Sequence, residues 1–262
     1  MRRLAPAVLS GLALLYWPGS LAARAQPDLI ADVALDPAHH RLEVGASNGE
    51  LREFELDLEI ALRARELLEA RGVLVRLTRT DHEPLSAWSD PDPIERIRIE
   101  QAARIAAAGP ARAYVSINFN GLGDPRISGT ETYYNPDNLG EQAYRLAEAL
   151  QRNVVGALWE VGYPARDRGV KSDLLAGKPY GHFFGLRGPM PSAVVEGLFL
   201  TNWDDAAALK RDDVRQAMAE GYARGIAEYL ASTSRLQPAS SSYVGIDRPK
   251  VSDFQRASMP PP

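Results

Sequence analysis

The chain has 262 residues, of which 45% are hydrophobic, so it can bury a full core in one large domain or two small ones. Its formal net charge of −4 argues against a nucleic-acid-binding protein, which would need a basic face. It contains no cysteine, which excludes a disulfide framework, a thiolate nucleophile and a cysteine-based zinc site. Any bound metal must therefore be held by histidine, carboxylate, amide or water.

The N-terminus has the three parts of a secretory signal peptide. Arg2-Arg3 precedes an apolar stretch from Leu4 to Trp17, and Ala23-Arg24-Ala25 forms a small-x-small cleavage pattern. The apolar stretch is short for a membrane span, and an uncleaved anchor is the alternative. We expect residues 1–25 to be removed and the mature chain to be exported to the periplasm or the cell wall, with no stable membrane span.

Predicted strands and helices alternate through the first half of the chain. Ile30–Leu35 and Val73–Thr78 have the branched apolar content of strands, and Pro37 is expected to end the first of them. A helical apolar stripe runs from Glu53 to Arg71. The cap, proline and acid that begin at Asp92 predict a second helix, ending near residue 108.

The second half continues this alternation. Its predicted elements are strands over Ala113–Ile117, Thr130–Tyr134 and Ala193–Val195, and helices from the cap Asn138 to Leu158 and over Asp213–Ala231. The glycine-rich stretch Arg166–Gly188 predicts a loop with a short strand near Phe183, and residues 232–262 predict a flexible tail rich in serine and proline. The order indicates one α/β domain over residues 28–231, with a mostly parallel or mixed twisted sheet and helices on both faces.

Two of the four histidines, His39 and His40, directly follow the first predicted strand. Open α/β sheets handle ligands at the carboxyl ends of their strands. The pair is therefore either a metal or acid–base site or two surface turn histidines. Asn118 follows the strand that begins at Ala113 and is expected at the same edge.

Two glutamates are further candidates. Glu196 follows a buried apolar strand, where a carboxylate is costly without a partner or a task; the simpler alternative is a salt bridge to Arg187. Glu53 opens a helix in a run of acidic residues, so taken singly it is a solvated charge favoured by the helix dipole.

Seven separated segments then carry a family resemblance. They are Asp36–His40, Arg52–Leu58, Val75–Asp81, Tyr114–Asn120, Gly129–Tyr134, Arg168–Lys171 and Leu186–Asn202. In this order they resemble the motifs of the zinc-dependent N-acetylmuramoyl-L-alanine amidases of the amidase-3 type, which cut the bond between muramic acid and the peptide stem of peptidoglycan.

The resemblance implies roles for particular residues. It places the first two zinc ligands on His39 and Glu53 and the catalytic glutamate on Glu196. Where the family has its third zinc-ligand histidine, this chain has Asn118, an amide whose oxygen is a weak donor for zinc. His40 and His182 are the candidates to substitute for it.

The resemblance implies an exported hydrolase of peptidoglycan in which zinc activates a water and Glu196 acts as the general base. Arg187 could bind a carboxylate of the substrate or pair with Glu196. The alternative function is a non-catalytic amidase-fold protein that binds the cell wall or regulates another hydrolase, having lost a zinc ligand. A regulatory protein partner is open in either case, and an unrelated periplasmic protein is a third alternative.

Overall fold

The computed structural model describes residues 30–234. The predicted signal peptide lies outside the described residues, and so does the predicted tail from residue 235 onward. Residues 232–234, which the sequence predicts as part of the tail, belong to the last helix.

One mixed sheet forms the centre of the described part. Its strands are β1 Val33–Pro37, β2 Val75–Leu77, β3 Tyr114–Asn120, β4 Thr130–Tyr134, β5 Asp167–Ser172 and β6 Ser192–Phe199. They lie in the order β2-β1-β3-β6-β4-β5. The first four of that order are parallel, whereas β4 runs antiparallel to β6 and parallel to β5. The carboxyl ends of β1, β3 and β6 therefore meet at one edge.

Helices cover both faces of the sheet. They are α1 Glu53–Glu69, α2 Pro93–Ala108, α3 Gly140–Glu160, α4 Trp203–Leu209 and α5 Asp212–Ser234, with 3₁₀ turns at Asp173–Ala176 and Phe184–Arg187. Apolar residues of α1, α3 and α5 pack with Val115 and Ile117 of β3, while Ala108 of α2 packs with Tyr114 of the same strand. Neighbouring strand residues point to opposite faces, so the predicted single α/β domain with two covered faces is confirmed.

Two glycines of α5 allow it to lie directly on α3. A Cβ atom on Gly221 would come 2.6 Å from Cα of Val154, and one on Gly225 would come 2.9 Å from the carbonyl oxygen of Ala149. Any larger residue at either position would force the two helices apart.

Of the two predicted helix caps, Asp92 is confirmed and Asn138 is wrong. Asp92 caps α2 as predicted, because its side chain accepts hydrogen bonds from the backbone N–H groups of Ile94 and Glu95. Asn138 does not cap α3. Leu139, at φ 51°, precedes that helix, and the Asn138 amide donates instead to the carbonyl oxygens of Leu186 and Gly188.

Three other elements differ from the prediction. Strand β5 lies in the stretch predicted as loop, α4 was not predicted, and the strand expected near Phe183 is a 3₁₀ turn. Pro37 is the last residue of β1 and pairs with Ile117, so the strand ends after Pro37 and not before it. Strands β3 and β6 continue past the predicted ends, which puts Asn118 and Glu196 inside strands. Among residues 30–234, no helix is both long and apolar enough to span a membrane.

Candidate active site

The sheet brings several of the sequence-predicted residues to one cavity of about 180 Å³. His39 follows β1, Asn118 lies in β3 and Glu196 lies in β6, and all three line that cavity. Asn118 and Glu196 are direct register partners on the parallel pair β3 and β6. Glu53, the first residue of α1, reaches the site through its contact with His39.

His39 lies between two carboxylates. Its Nε2 atom is 3.1 Å from Oε1 of Glu53, and its Nδ1 atom donates to Oε2 of Glu43 at 2.5 Å. Burial by itself lowers the pKa of His39, but the two carboxylates outweigh burial and raise that pKa well above its ordinary value. The residue also adopts φ 55°, a left-handed backbone conformation that is uncommon outside glycine. The turn after β1 therefore presents this imidazole in one defined orientation.

Glu53 is buried and fixed by backbone groups. Its side chain is 3% exposed, Oε1 accepts the N–H of Phe119 at 2.9 Å, and Oε2 accepts the N–H of Ala46 at 2.6 Å. The alternative of a solvated helix-start charge does not describe this environment. The hydrogen bonds compensate the cost of burying a carboxylate at this position.

The backbone that carries His39 is held by a buried arginine on the β2 side. Arg79 donates from Nε to the carbonyl oxygen of Pro37 at 2.8 Å and from Nη2 to that of Ala38 at 2.7 Å. Its Nη2 also donates to the carbonyl oxygen of Phe54 at 2.9 Å, which ties the turn after β1 to α1. Burial lowers the pKa of Arg79 to about 10, so the guanidinium stays charged at neutral pH.

A second buried arginine holds the same turn from α2. Arg104 donates to the carbonyl oxygens of Pro37 at 2.6 Å and His39 at 2.7 Å, and it pairs with Asp36 at 2.9 Å and with Glu100 at 3.1 Å. All of its donor nitrogens are engaged in these contacts. Nothing in the sequence singled out Arg104, because a helix arginine carries no signal of burial.

Glu196 has the perturbed pKa of an acid–base group. Burial, followed by the nearby charge of Glu53, raises its pKa to about 8, although Lys178 and His39 pull it downward. A carboxyl group with this pKa exchanges protons near neutral pH. The suggested salt bridge to Arg187 is not among the ion pairs of residues 30–234.

A second glutamate lies beside Glu196 on β4. Glu131 accepts hydrogen bonds from Arg168 Nε at 2.7 Å, from Tyr133 Oη at 2.8 Å and from Lys171 Nζ. Burial favours the neutral form of Glu131, but these donors outweigh it and lower its pKa. The two carboxyl groups are thus driven to different protonation states, as in acid–base sites that use two carboxylates.

Asn118 belongs to a chain of polar contacts that runs down to Asp36. Its Nδ2 donates to Oγ of Ser116 at 3.0 Å, and that hydroxyl donates to Oδ2 of Asp36 at 3.0 Å. The amide nitrogen is therefore committed to the protein, and the amide oxygen is the donor atom that Asn118 could offer to a cation.

His40 lines the cavity, but its ring makes its contacts with Leu42 and Trp88. Its Nδ1 accepts the N–H of Leu42 at 3.2 Å, and its ring packs edge-on against Trp88 with centroids 4.4 Å apart. Within the described residues, Nε2 of His40 has no hydrogen-bond partner. Burial lowers its pKa to about 4, which keeps the ring neutral.

His182 and Arg187 both stabilise the loop before β6. The two ring nitrogens of His182 contact Asp173 at 2.7 Å and Asp137 at 3.0 Å, so neither is free to bind a metal. Arg187 donates from Nη2 to the carbonyl oxygens of Tyr180 at 2.8 Å and His182 at 2.9 Å. Neither side chain is part of the cavity wall.

The donor set fits a cation at the His39–Glu53 contact. Nδ1 of His39 is held by the Glu43 carboxylate, which leaves Nε2 to face a metal; metal-binding histidines in proteins are oriented in this way. Among residues 30–234, no three His, Asp or Glu side chains form a metal-binding group, so the third donor would be an amide oxygen or a water. A glutamate of near-neutral pKa beside such a pair is typical of hydrolases.

The family of the chain follows from its sequence. The pattern of the Amidase_3 family, described as N-acetylmuramoyl-L-alanine amidase, matches residues 33–228, and the chain belongs to this family. It is 31% identical over 221 residues to the "Uncharacterized protein YqiI" of Bacillus subtilis (strain 168), which covers 84% of this chain and 94% of that protein. It is 31% identical over 193 residues to the N-acetylmuramoyl-L-alanine amidase LytC of the same organism, covering 72% of this chain but 34% of LytC.

A solved structure shares the fold. The CwlD amidase from Clostridioides difficile, in complex with the GerS lipoprotein, superposes with a TM-score of 0.64. The match covers 77% of this chain and 99% of that chain at 24% sequence identity. The six-stranded α/β architecture is therefore that of an amidase domain.

Proposed function

We propose that the chain is an exported peptidoglycan hydrolase that cleaves the amide bond between N-acetylmuramic acid and the L-alanine of the stem peptide. The observation that carries this proposal is that His39 and Glu196, whose pKa is raised to about 8, line the same cavity. Membership of the Amidase_3 family supports the choice of an amide bond in the cell wall.

Zinc is the proposed cofactor. His39 Nε2 and Glu53 Oε1 would hold it, with the amide oxygen of Asn118 as the third protein donor. Zinc, when bound, supplies Lewis-acid polarisation at this point of the cavity. An amide oxygen is a weaker donor for zinc than an imidazole nitrogen, so we expect weaker binding than at a site with two histidines and a glutamate.

Glu196 is the proposed general base. Its carboxylate takes a proton from the attacking water and returns it to the nitrogen of the leaving L-alanine. A pKa of about 8 suits both transfers near neutral pH. Glu131, ionised by its contacts with Arg168 and Lys171, would keep a negative charge beside Glu196 and so preserve its proton affinity.

Export is proposed from residues 1–25, which have the features of a signal peptide. Mass spectrometry of the extracellular or periplasmic protein should show a chain that starts near Gln26. Recovery of the intact chain from the membrane fraction would indicate an uncleaved anchor instead. A regulatory protein partner stays a prediction.

The alternative is a non-catalytic protein that binds cell wall or regulates another hydrolase. Asn118 at the expected position of the third zinc ligand favours it, as does the lack of a three-ligand group of His, Asp or Glu within residues 30–234. The alternative predicts binding to peptidoglycan without release of stem peptides.

One experiment separates the two functions. Purified peptidoglycan is incubated with the zinc-supplied chain, and mass spectrometry follows released stem peptides that begin with L-alanine. Glu196→Gln should reduce the rate by about 10²–10⁴ without a change in circular dichroism. Glu220→Gln, at an ion pair with Arg224 on α5, is the control and should match the parent. Sedimentation of the parent with peptidoglycan that stays undigested would support the alternative.

A further inference from the structure

The loop before β6 forms one wall of the cavity, and side-chain contacts fix its shape. We call residues 173–187 the cavity loop. Asp173 accepts a hydrogen bond from the N–H of Phe183 at 2.8 Å in addition to its contact with His182. The rings of Tyr180 and Phe184 stack with centroids 4.3 Å apart and an interplanar angle of 16°. The loop can therefore hold a side chain at a defined place on the cavity wall.

Lys178 is the cation that this loop presents. It lines the cavity together with Glu196 and is exposed to solvent. Its Nζ atom lies 5.6 Å from the centre of the Phe183 ring, which restrains the side chain without neutralising it. Within residues 30–234, Lys178 takes part in no ion pair, unlike Lys171 and Lys210.

The other charged groups on the cavity wall leave Lys178 as its available cation. Arg104 also lines the cavity, but Asp36, Glu100 and backbone carbonyl oxygens occupy its donors. His39 also lines the cavity, but it contacts the carboxylates of Glu43 and Glu53. Carboxylates thus offset the charges of His39 and Arg104, so an anionic group of a ligand would be attracted at Lys178.

The chemistry of the proposed substrate tells where its anionic groups are. The lactyl carboxyl group of muramic acid is consumed in the amide bond, so the sugar side of that bond carries no carboxylate. The stem peptide keeps its own carboxylates on the other side. A cation in the cavity therefore distinguishes the two ends of the substrate.

We propose that Lys178 binds a carboxylate of the stem peptide and directs the peptide towards the cavity loop. This inference rests on the proposed function, since it uses the same cavity and the same substrate. It assigns to Lys178 the carboxylate contact that the sequence suggested for Arg187. The Arg187 guanidinium holds the backbone of the cavity loop instead, so its contribution is to position Lys178 indirectly.

The test compares binding and turnover in variants of the full chain. The probes are N-acetylmuramoyl-L-alanyl-D-glutamate and the same compound with both glutamate carboxylates converted to amides. Lys178→Met keeps the apolar stem and removes the charge, and Lys178→Arg keeps the charge. Lys210→Met is the matched control, because Lys210 pairs with Glu50 and does not line the cavity. Kd is measured by calorimetric titration, and KM and kcat are measured from release of the peptide.

We expect Lys178→Met to raise Kd and KM for the acidic probe by about three- to tenfold, the range of one exposed charge-assisted contact. Because Lys178 lowers the pKa of Glu196, kcat is compared at the pH optimum of each variant. Lys178→Arg should restore most of the loss, and the Kd of the amidated probe should not depend on residue 178. Equal Kd and KM for parent and Lys178→Met on the acidic probe would overturn the inference. An equal loss on both probes would overturn it as well, because the effect would then be independent of charge.

The test distinguishes a failure of the Lys178 inference from a failure of the proposed function. If neither probe is cleaved but the acidic probe binds in a manner that depends on Lys178, the inference stands and the proposed catalytic function falls. If the acidic probe is cleaved at the same KM by all the variants, the function stands and the role of Lys178 falls.

Discussion

Glu196 and Glu131 are direct register partners on the antiparallel strands β6 and β4, and their carboxyl groups are driven to opposite protonation states. Burial and the charge of Glu53 raise the pKa of Glu196 to about 8. Hydrogen bonds from Lys171 and Arg168 lower the pKa of Glu131 despite its burial. Two neighbouring carboxylates would repel each other if both were ionised, and the cations on β5 decide which of them carries the charge.

The first prediction concerns Glu131→Gln. The substitution leaves Arg168 and Lys171 without their carboxylate, so the free energy of unfolding at pH 7 should fall by about 1–3 kcal/mol. Because the folded-state pKa of Glu131 is depressed, its contribution is present above its ordinary pKa of 4.5 and is lost as pH falls through the folded-state value. Urea titrations at pH 7 and below pH 4 should show the parent and the variant converging at the acidic end.

Glu95→Gln is the control for this prediction. Glu95→Gln breaks an exposed ion pair with Arg98 and should change stability much less. A difference between Glu131→Gln and the parent that stays constant from pH 7 to pH 3 would contradict the assignment, because a permanent packing defect does not titrate.

The second prediction concerns the buried arginine below His39. Arg104→Met removes the partner of Asp36 and leaves that carboxylate buried and uncompensated, which should cost about 3–5 kcal/mol of unfolding free energy. Arg98→Met on the same helix removes only an exposed pair and is the matched control. Thermal and urea unfolding measure both variants. The hydroxyl groups of Thr78 and Ser116 also donate to Asp36, at 2.6 and 3.0 Å. A loss below about 1 kcal/mol for Arg104→Met would show that these two hydroxyl groups alone can hold Asp36.

The architecture was largely predictable because long elements carry periodic signals. Hydrophobic runs indicated α1, α2, α3 and α5, and a start signal located the beginning of α2. Strand β5, with the sequence Asp-Arg-Gly-Val-Lys-Ser, alternates weakly because it is a half-exposed edge strand. Helix α4 has seven residues, too few for a periodic stripe, although Asn202 caps it through the N–H groups of Asp204 and Asp205.

The candidate site was predictable only in part. Strand-end reasoning and the family motifs indicated His39 and Glu196, which line one cavity. Strand-end reasoning and family motifs could not show whether Arg187 or Lys178 faces that cavity. Both residues lie in an irregular loop, where the direction of a side chain depends on tertiary contacts. Glu43 was missed because it lies outside every predicted element and its contact with His39 comes from the turn after β1.

The third prediction concerns that missed residue. Glu43 holds Nδ1 of His39 and so fixes the orientation of the imidazole. Glu43→Gln weakens this contact, and zinc affinity should fall by about 10–100-fold, the usual effect of removing the partner of a metal-binding histidine. Titration with zinc and a competing chelator measures the dissociation constant. Glu83→Gln, at an exposed pair with Arg41, should bind zinc as the parent does; equal affinity in Glu43→Gln would remove Glu43 from the site.

The last prediction concerns Asn118, where the chain departs from the expected His-Glu-His ligand set. Nε2 of His39 and Oε1 of Glu53 already lie 3.1 Å apart, and Asn118 lines the same cavity as His39. Asn118→His would therefore add a nitrogen donor of similar reach. His40 packs against Trp88, which keeps its ring engaged away from an introduced imidazole. Zinc affinity should rise by more than about tenfold, because losing even an outer-shell partner costs 10–100-fold.

Asn118→Ala is the control, and it should bind zinc more weakly than the parent if the amide oxygen is a ligand. A parent that already holds one zinc tightly, with no gain in Asn118→His, would show that another group completes the site. Zinc binding and peptide release that both appear only in Asn118→His would identify the natural chain as the non-catalytic binder.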